Sequence, residues 1–190
     1  GGIGIISTAQ IGYDEEGFEK DQAGCNRIAI RKHIHRAKEI AEGKGLVGVN
    51  IMVALKHYIE HVQEAVRAGA DVIISGAGLP MDLPKLVGNN KTKIAPIVSS
   101  RRATQLILKM WAHRYNRTAD FIVAEGPKAG GHLGFSREEL THLYEPDYEA
   151  NYDDEIRRII ACVHEYGEKY GVHIPVITAG GIMNARQVQH

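Results

Sequence analysis

The residues best suited to chemistry fall in one run, Phe121-Ile-Val-Ala-Glu-Gly-Pro-Lys-Ala-Gly-Gly-His-Leu-Gly134. Its apolar, β-branched opening predicts a buried strand over 119–125, with a single acid, Glu125, at the tip. Gly126, Pro127, Gly130 and Gly131 then predict a turn that delivers His132 beyond the strand's carboxyl end. Glycine lets main-chain N–H groups approach a flat or anionic ligand closely, and histidine titrates near neutral pH. A tight glycine turn with an exposed histidine is the plainer reading. Strand, tip acid, glycines and histidine in one order favour a ligand site.

Other groups are weaker. Gly180-Gly181 follows an apolar strand, Pro175 to Ala179, and could cradle a phosphate with main-chain N–H groups. An ordinary βα turn uses the same pair, and the two readings stand level. Asn50 is an uncharged amide inside an apolar run, 46–53, where it satisfies backbone groups or points at a ligand. His57-Tyr-Ile-Glu-His61 fits the H-x-x-E-H pattern of some zinc peptidases. The helical stripe there reads as Leu55, Ile59, Val62 and Val66, which would leave both histidines on the solvated side; no metal site is expected. His33 and His35, two apart on a helix, point away from each other and are expected to be exposed, and His113, His142, His164 and His173 lack partners at ligand spacing. Cys162 reads as packing, and Cys25 and Cys162 form neither a CxxC pair nor a disulfide framework.

The elements that must position these groups alternate. Strands are expected over 1–7, 46–53, 71–77, 94–99, 119–125 and 175–179. Helices are expected from the stripes Ile30, Ile34, Ala37, Ala41; Leu55, Ile59, Val62, Val66; Ala103, Leu106, Ile107, Met110, Trp111; and Ile156, Ile159, Ile160, Val163. Asp153 or Asp154 is the expected cap of the last helix. Such alternation implies a parallel sheet with right-handed crossovers, covered on both faces. Glycines recur at the strand tips (Gly76, Gly78, Gly126, Gly180, Gly181), and a barrel gathers tips around one centre. The expected fold is therefore an α/β barrel of the TIM type, in one domain over 1–190. The polar, tyrosine-rich stretch 136–154 is longer than a usual βα connection and reads as a lid or as a surface insertion. No internal repeat beyond the βα rhythm stands out.

Composition excludes several classes. Lys plus Arg and Asp plus Glu both number 23, so no global field favours nucleic acid or an anionic membrane. Hydrophobic residues at 44% and charged residues at 24% are ordinary for a globular chain. No apolar run approaches the ~20 residues of a membrane helix. The cysteine usage points to a reducing, cytoplasmic setting.

Six segments together resemble the nitronate monooxygenase (2-nitropropane dioxygenase) family and its relatives, the flavin-dependent enoyl-ACP reductases. They are GGIGIIS at 1–7, GVNIM at 48–52, SGAGLP at 75–80, APIVSS at 95–100, AEGPKAGGHLG at 124–134 and IPVITAGGI at 174–182. The resemblance implies an FMN-binding (β/α)8 barrel, present here as a partial barrel lacking the first and last strands and belonging to a longer polypeptide. It implies flavin contacts from Asn50, Glu125, Gly130 and Gly131, a phosphate clamp that includes Gly180 and Gly181, and His132 as the active-site histidine. The implied reaction is FMN-dependent oxidation of nitronates or nitroalkanes by dioxygen to a carbonyl compound and nitrite. Glu125 departs from the glutamine common in that family and matches the enoyl reductases, so NAD(P)H-dependent reduction of an enoyl thioester is the alternative. A flavin-binding barrel without catalysis is a second alternative. The expected partner is a small-molecule substrate, with no nucleic acid or membrane, and a homodimer is admitted.

Overall fold

The structure is a computed structural model that describes residues 2–131, 134, 135, 138, 141 and 148–183. Six parallel strands stand side by side in chain order: β1 (Ile3–Ser7), β2 (Leu46–Met52), β3 (Val72–Gly76), β4 (Lys93–Val98), β5 (Ile122–Glu125) and β6 (Val176–Ala179). Between them run α1 (Gln22–Ala41), α2 (Tyr58–Arg67), α3 (Leu83–Val87), α4 (Arg101–Tyr115) and α5 (Tyr148–Tyr170). A strand order without reversal belongs to a barrel rather than to a doubly wound sheet. The expected partial barrel is thus observed, as a half-barrel of six strands.

Alternation sorts each strand onto two faces. Val49, Ile51, Ile73, Ile94 and Ile122 turn outward to the helices, where they meet Ile34, Val62, Ile107, Leu108, Trp111 and Ile159 in the main core. The inner face has its own cluster of Val72, Ala95, Phe121 and Val123, joined by Ile74, Ile97 and Ala179. A Cβ on Gly48 would lie 2.7 Å from Ile5 Cδ1 and 3.0 Å from Val72 Cβ, so Gly48, and Asn50 two residues on, share this inner face.

A device not apparent as a repeat fixes the amino ends of two strands. Ala70-Asp71 precedes β3, and Ala119-Asp120 precedes β5. Asp71 accepts from Val47 N at 2.9 Å and pairs with Lys38 Nζ at 2.8 Å. Asp120 accepts from Ile94 N at 2.9 Å and pairs with Lys93 Nζ at 2.9 Å and Arg117 Nη2 at 2.7 Å. Each carboxylate closes a backbone donor that the ladder leaves open at the strand's start. Burial opposes ionisation of Asp71, but the Lys38 ammonium and the Val47 N–H outweigh it, and the pKa falls below its usual value.

Two helix expectations need correction. In α2 the buried face carries His61, Val62, Glu64 and Ala65, whereas Ile59 is exposed. His61 is 2% exposed, so the histidines do not both lie on the solvated side. The stripe is hard to phase because a charge sits on it. Glu64, with a side chain 2% exposed, is held by Arg31 and Arg67, each at 2.8 Å. In the last helix, Asp153 and Asp154 are not caps, since α5 already begins at Tyr148 and runs through them. The tail of the 136–154 stretch is therefore helix, and most of its remainder lies outside the described residues.

Candidate active site at the strand tips

The carboxyl ends of β3, β4 and β5 border a half-open cleft of about 260 Å³, lined by Ala77, Gly78, Ile97, Ser99, Glu125 and Gly134 among others. A larger groove of 590 Å³ lies between α5 and the amino end of β6, lined by Ile160, Val163, Gly167, Val172 and Ile174. In parallel α/β folds chemistry gathers at carboxyl ends, so the smaller cavity is the candidate site and the groove is not. Ala77, on the SGAGLP tip of β3, has φ of +51°. A left-handed alanine costs ~1–2 kcal/mol and persists where the surroundings impose it.

Glu125 ends β5 and, by alternation, shares the inner face with Val123. Burial pushes its carboxyl above the usual range. A carboxyl so placed keeps a proton longer and can donate a hydrogen bond. Ser99, past the end of β4, donates to Gly134 O at 2.7 Å and draws the far end of the glycine turn onto the cavity.

Asn50 lies on the inner face near the carboxyl end of β2, and its Oδ1 is buried without a partner among the described residues. An orphaned buried acceptor costs ~1–3 kcal/mol, and a ligand N–H in the barrel would relieve it. Its main chain is held separately: Thr8 N and Thr8 Oγ1 both donate to Asn50 O, at 3.1 and 3.2 Å. Since the Thr8 hydroxyl proton is engaged there, its oxygen accepts from His61 Nδ1, 3.3 Å away. His61 Nε2 is then a buried acceptor with no partner among the described residues, and burial with nearby His57 lowers the ring's pKa. His57 instead faces Glu60 at 3.2 Å from the half-exposed start of α2. The H-x-x-E-H spacing thus puts its histidines in unlike surroundings, and the buried one braces β1 and β2. Sequence reading missed this bracing because Thr8 is distant in the chain.

The glycines differ in what demands them. Gly180 and Gly181 have φ of +104° and +76°. A Cβ on Gly180 would lie 2.9 Å from Gly126 O, and one on Gly181 2.7 Å from Lys128 Cβ. The tips of β5 and β6 therefore abut, joined by Gly126 N donating to Ala179 O at 2.7 Å. Close approach alone is a sufficient reason for this pair. A Cβ on Gly130 or Gly131 would meet nothing within 4 Å among the described residues. His132 lies outside the described residues, so the structure brings Asn50, Glu125 and the glycines to the tips without locating the histidine. Among the described residues no His, Cys, Asp and Glu cluster could hold a metal, and no helix is long and apolar enough to cross a membrane.

The fold and cavity define an α/β barrel-type protein with a candidate site at the carboxyl ends of its parallel strands. The family model for nitronate monooxygenase matches residues 22–190, and the chain belongs to that family. Among solved structures it is similar to FabK from Thermotoga maritima, with 24% identity and a TM-score of 0.57 over 85% of this chain and 42% of that one. It is also similar to nitroalkane oxidase from Streptomyces ansochromogenes, with 17% identity and a TM-score of 0.54 over 99% of this chain and 54% of that one. At these identities the likeness speaks for the fold. The chain spans about half the length of these structures. No curated protein matches.

Proposed function

We propose that this chain forms part of an FMN-dependent oxidoreductase that oxidises alkyl nitronates or nitroalkanes with dioxygen to a carbonyl compound and nitrite. The observation that carries the reading is the buried Asn50 Oδ1, without a partner among the described residues, on the inner face of a barrel of this family. Bound FMN would supply the electron transfer and the reaction with dioxygen. Asn50 would offer its free acceptor to an N–H of the ring. Glu125, protonated more readily than an exposed carboxyl, would stand at the ring's edge as a donor. Main-chain groups at Gly130 and Gly131, which no other described residue crowds, would lie against the cofactor, and Gly180 and Gly181 would serve its phosphate. His132 would take the α-proton of a neutral nitroalkane or hydrogen-bond a nitronate oxygen.

One residue favours a second reading. Glu125 matches the flavin-dependent enoyl-ACP reductases better than the nitronate monooxygenases, so reduction of an enoyl thioester with NAD(P)H is the competing activity. Anaerobic mixing of the full-length protein with propionate 3-nitronate and, separately, with NADH separates them. Flavin bleaching by the nitronate alone is the expected result. Bleaching by NADH alone, reversed by an enoyl thioester, would replace the first activity with the second. A colourless protein that binds no added FMN would exclude both.

A further inference from the structure

We propose that Tyr152 is the positioning residue of the glycine turn, holding both its entry and its exit against α5. That the ligand awaiting this turn is a flavin rests on the function proposed above. The Tyr152 hydroxyl donates to Glu125 O, the last carbonyl of β5. Its ring lies over the next residue, since a Cβ on Gly126 would come within 3.2 Å of Tyr152 Cε1. The same ring meets Phe135 edge-on, with centroids 5.6 Å apart and planes at 62°. Glu125 and Gly126 enter the turn and Phe135 leaves it, so one side chain touches both ends.

The turn needs an outside hold. Gly126, Gly130 and Gly131 fall within six residues, and glycine loses more backbone freedom on ordering than any other residue. A Cβ on Gly130 or Gly131 would meet none of the described residues within 4 Å. The helix that supplies Tyr152 is itself anchored: Ile159 and Val163 sit in the main core, and Tyr166 donates to Leu108 O at 2.8 Å. Glu155, three residues beyond Tyr152, accepts from Arg101 N at 2.6 Å and ties the same end of α5 to the start of α4. Tyr152 thus ties Glu125, Gly126 and Phe135, on either side of the glycines, to the helix layer. Ser99, through Gly134 O, secures the exit from the opposite side.

Tyr166 supplies the matched control, because its hydroxyl also leaves α5 for a main-chain carbonyl, but in α4 and away from the turn. The full-length protein is compared as wild type, Tyr152→Phe, Tyr152→Leu and Tyr166→Phe. Two readouts are taken: amide hydrogen exchange over 126–131 without flavin, and the dissociation constant of FMN from flavin fluorescence. Losing the hydroxyl in Tyr152→Phe should speed exchange in the turn ~2–10-fold and weaken FMN by a similar factor. Tyr152→Leu, which also loses the ring contacts, should exceed it on both readouts, and Tyr166→Phe should move neither. Unchanged exchange in Tyr152→Phe, or equal effects from Tyr166→Phe, would overturn the proposal. So would faster exchange with unaltered FMN affinity. A wild type that binds no FMN would overturn the flavin reading, and the exchange comparison would still decide whether Tyr152 holds the turn.

Discussion

Replacing Asn50 with leucine should separate stability from ligand binding. The Asn50 Oδ1 is buried and lacks a partner among the described residues, so the flavin-free protein bears the desolvation cost of that oxygen. Such a cost is ~1–3 kcal/mol, while the residue's main-chain bonds from Thr8 survive any side-chain change. Leucine is close to asparagine in size, and its neighbours across the ladder, Ser7 and Ile74, belong to a largely apolar inner face. The expected result in the full-length apoprotein is a gain of ~1–2 kcal/mol in chemical denaturation with an unchanged slope. FMN affinity should fall ~10–100-fold, because the variant leaves a ring donor without an acceptor. Denaturation curves and flavin fluorescence titration on one preparation supply both numbers. A destabilised apoprotein would show that Oδ1 is satisfied in solution, and unaltered FMN affinity would remove Asn50 from the site.

Three further outcomes are expected. Glu64→Gln should cost only ~1 kcal/mol, since the arginines it releases are 56% and 60% exposed and return to water, whereas Arg31→Met with Arg67→Met should cost ~2–4 kcal/mol by stranding a buried carboxylate; equal costs in denaturation would refute the asymmetry. Asp71→Asn should lower stability by ~0.5–1 kcal/mol at neutral pH. Because the folded pKa of Asp71 is depressed, this contribution is present above the usual carboxylate pKa near 3.8 and is lost as pH falls through the lower folded value, so wild type and variant should converge in acid; a gap that persists there would assign it to geometry instead. His132→Ala should retain FMN yet lose turnover of a neutral nitroalkane by ~10²–10⁴-fold and of the ionised nitronate by less, and equal losses in steady-state assays would exclude a base.

The alternation of apolar strands with periodic helices was enough to give six parallel strands in order. In the central strands burial on both faces writes itself as continuous apolar runs such as Val72-Ile-Ile and Phe121-Ile-Val, whereas β1, expected to be buried, and β6 are largely exposed at the two edges of the sheet. Glu125 at a strand tip and Asn50 inside an apolar run were legible for the same reason: a polar residue stands out against an apolar background. The phase of α2 was not legible. A buried Glu64 and a buried His61 look like solvent-facing residues until Arg31 and Thr8, far away in sequence, are brought beside them. The Asp71 and Asp120 clasps, Tyr152 over the glycine turn, and the contact of Gly180 with Gly126 are likewise pairings between elements. Local composition reports how much of a residue must be buried. Which charge, hydroxyl or main-chain group then meets it is decided by the approach of separate elements, and only the tertiary structure holds that information.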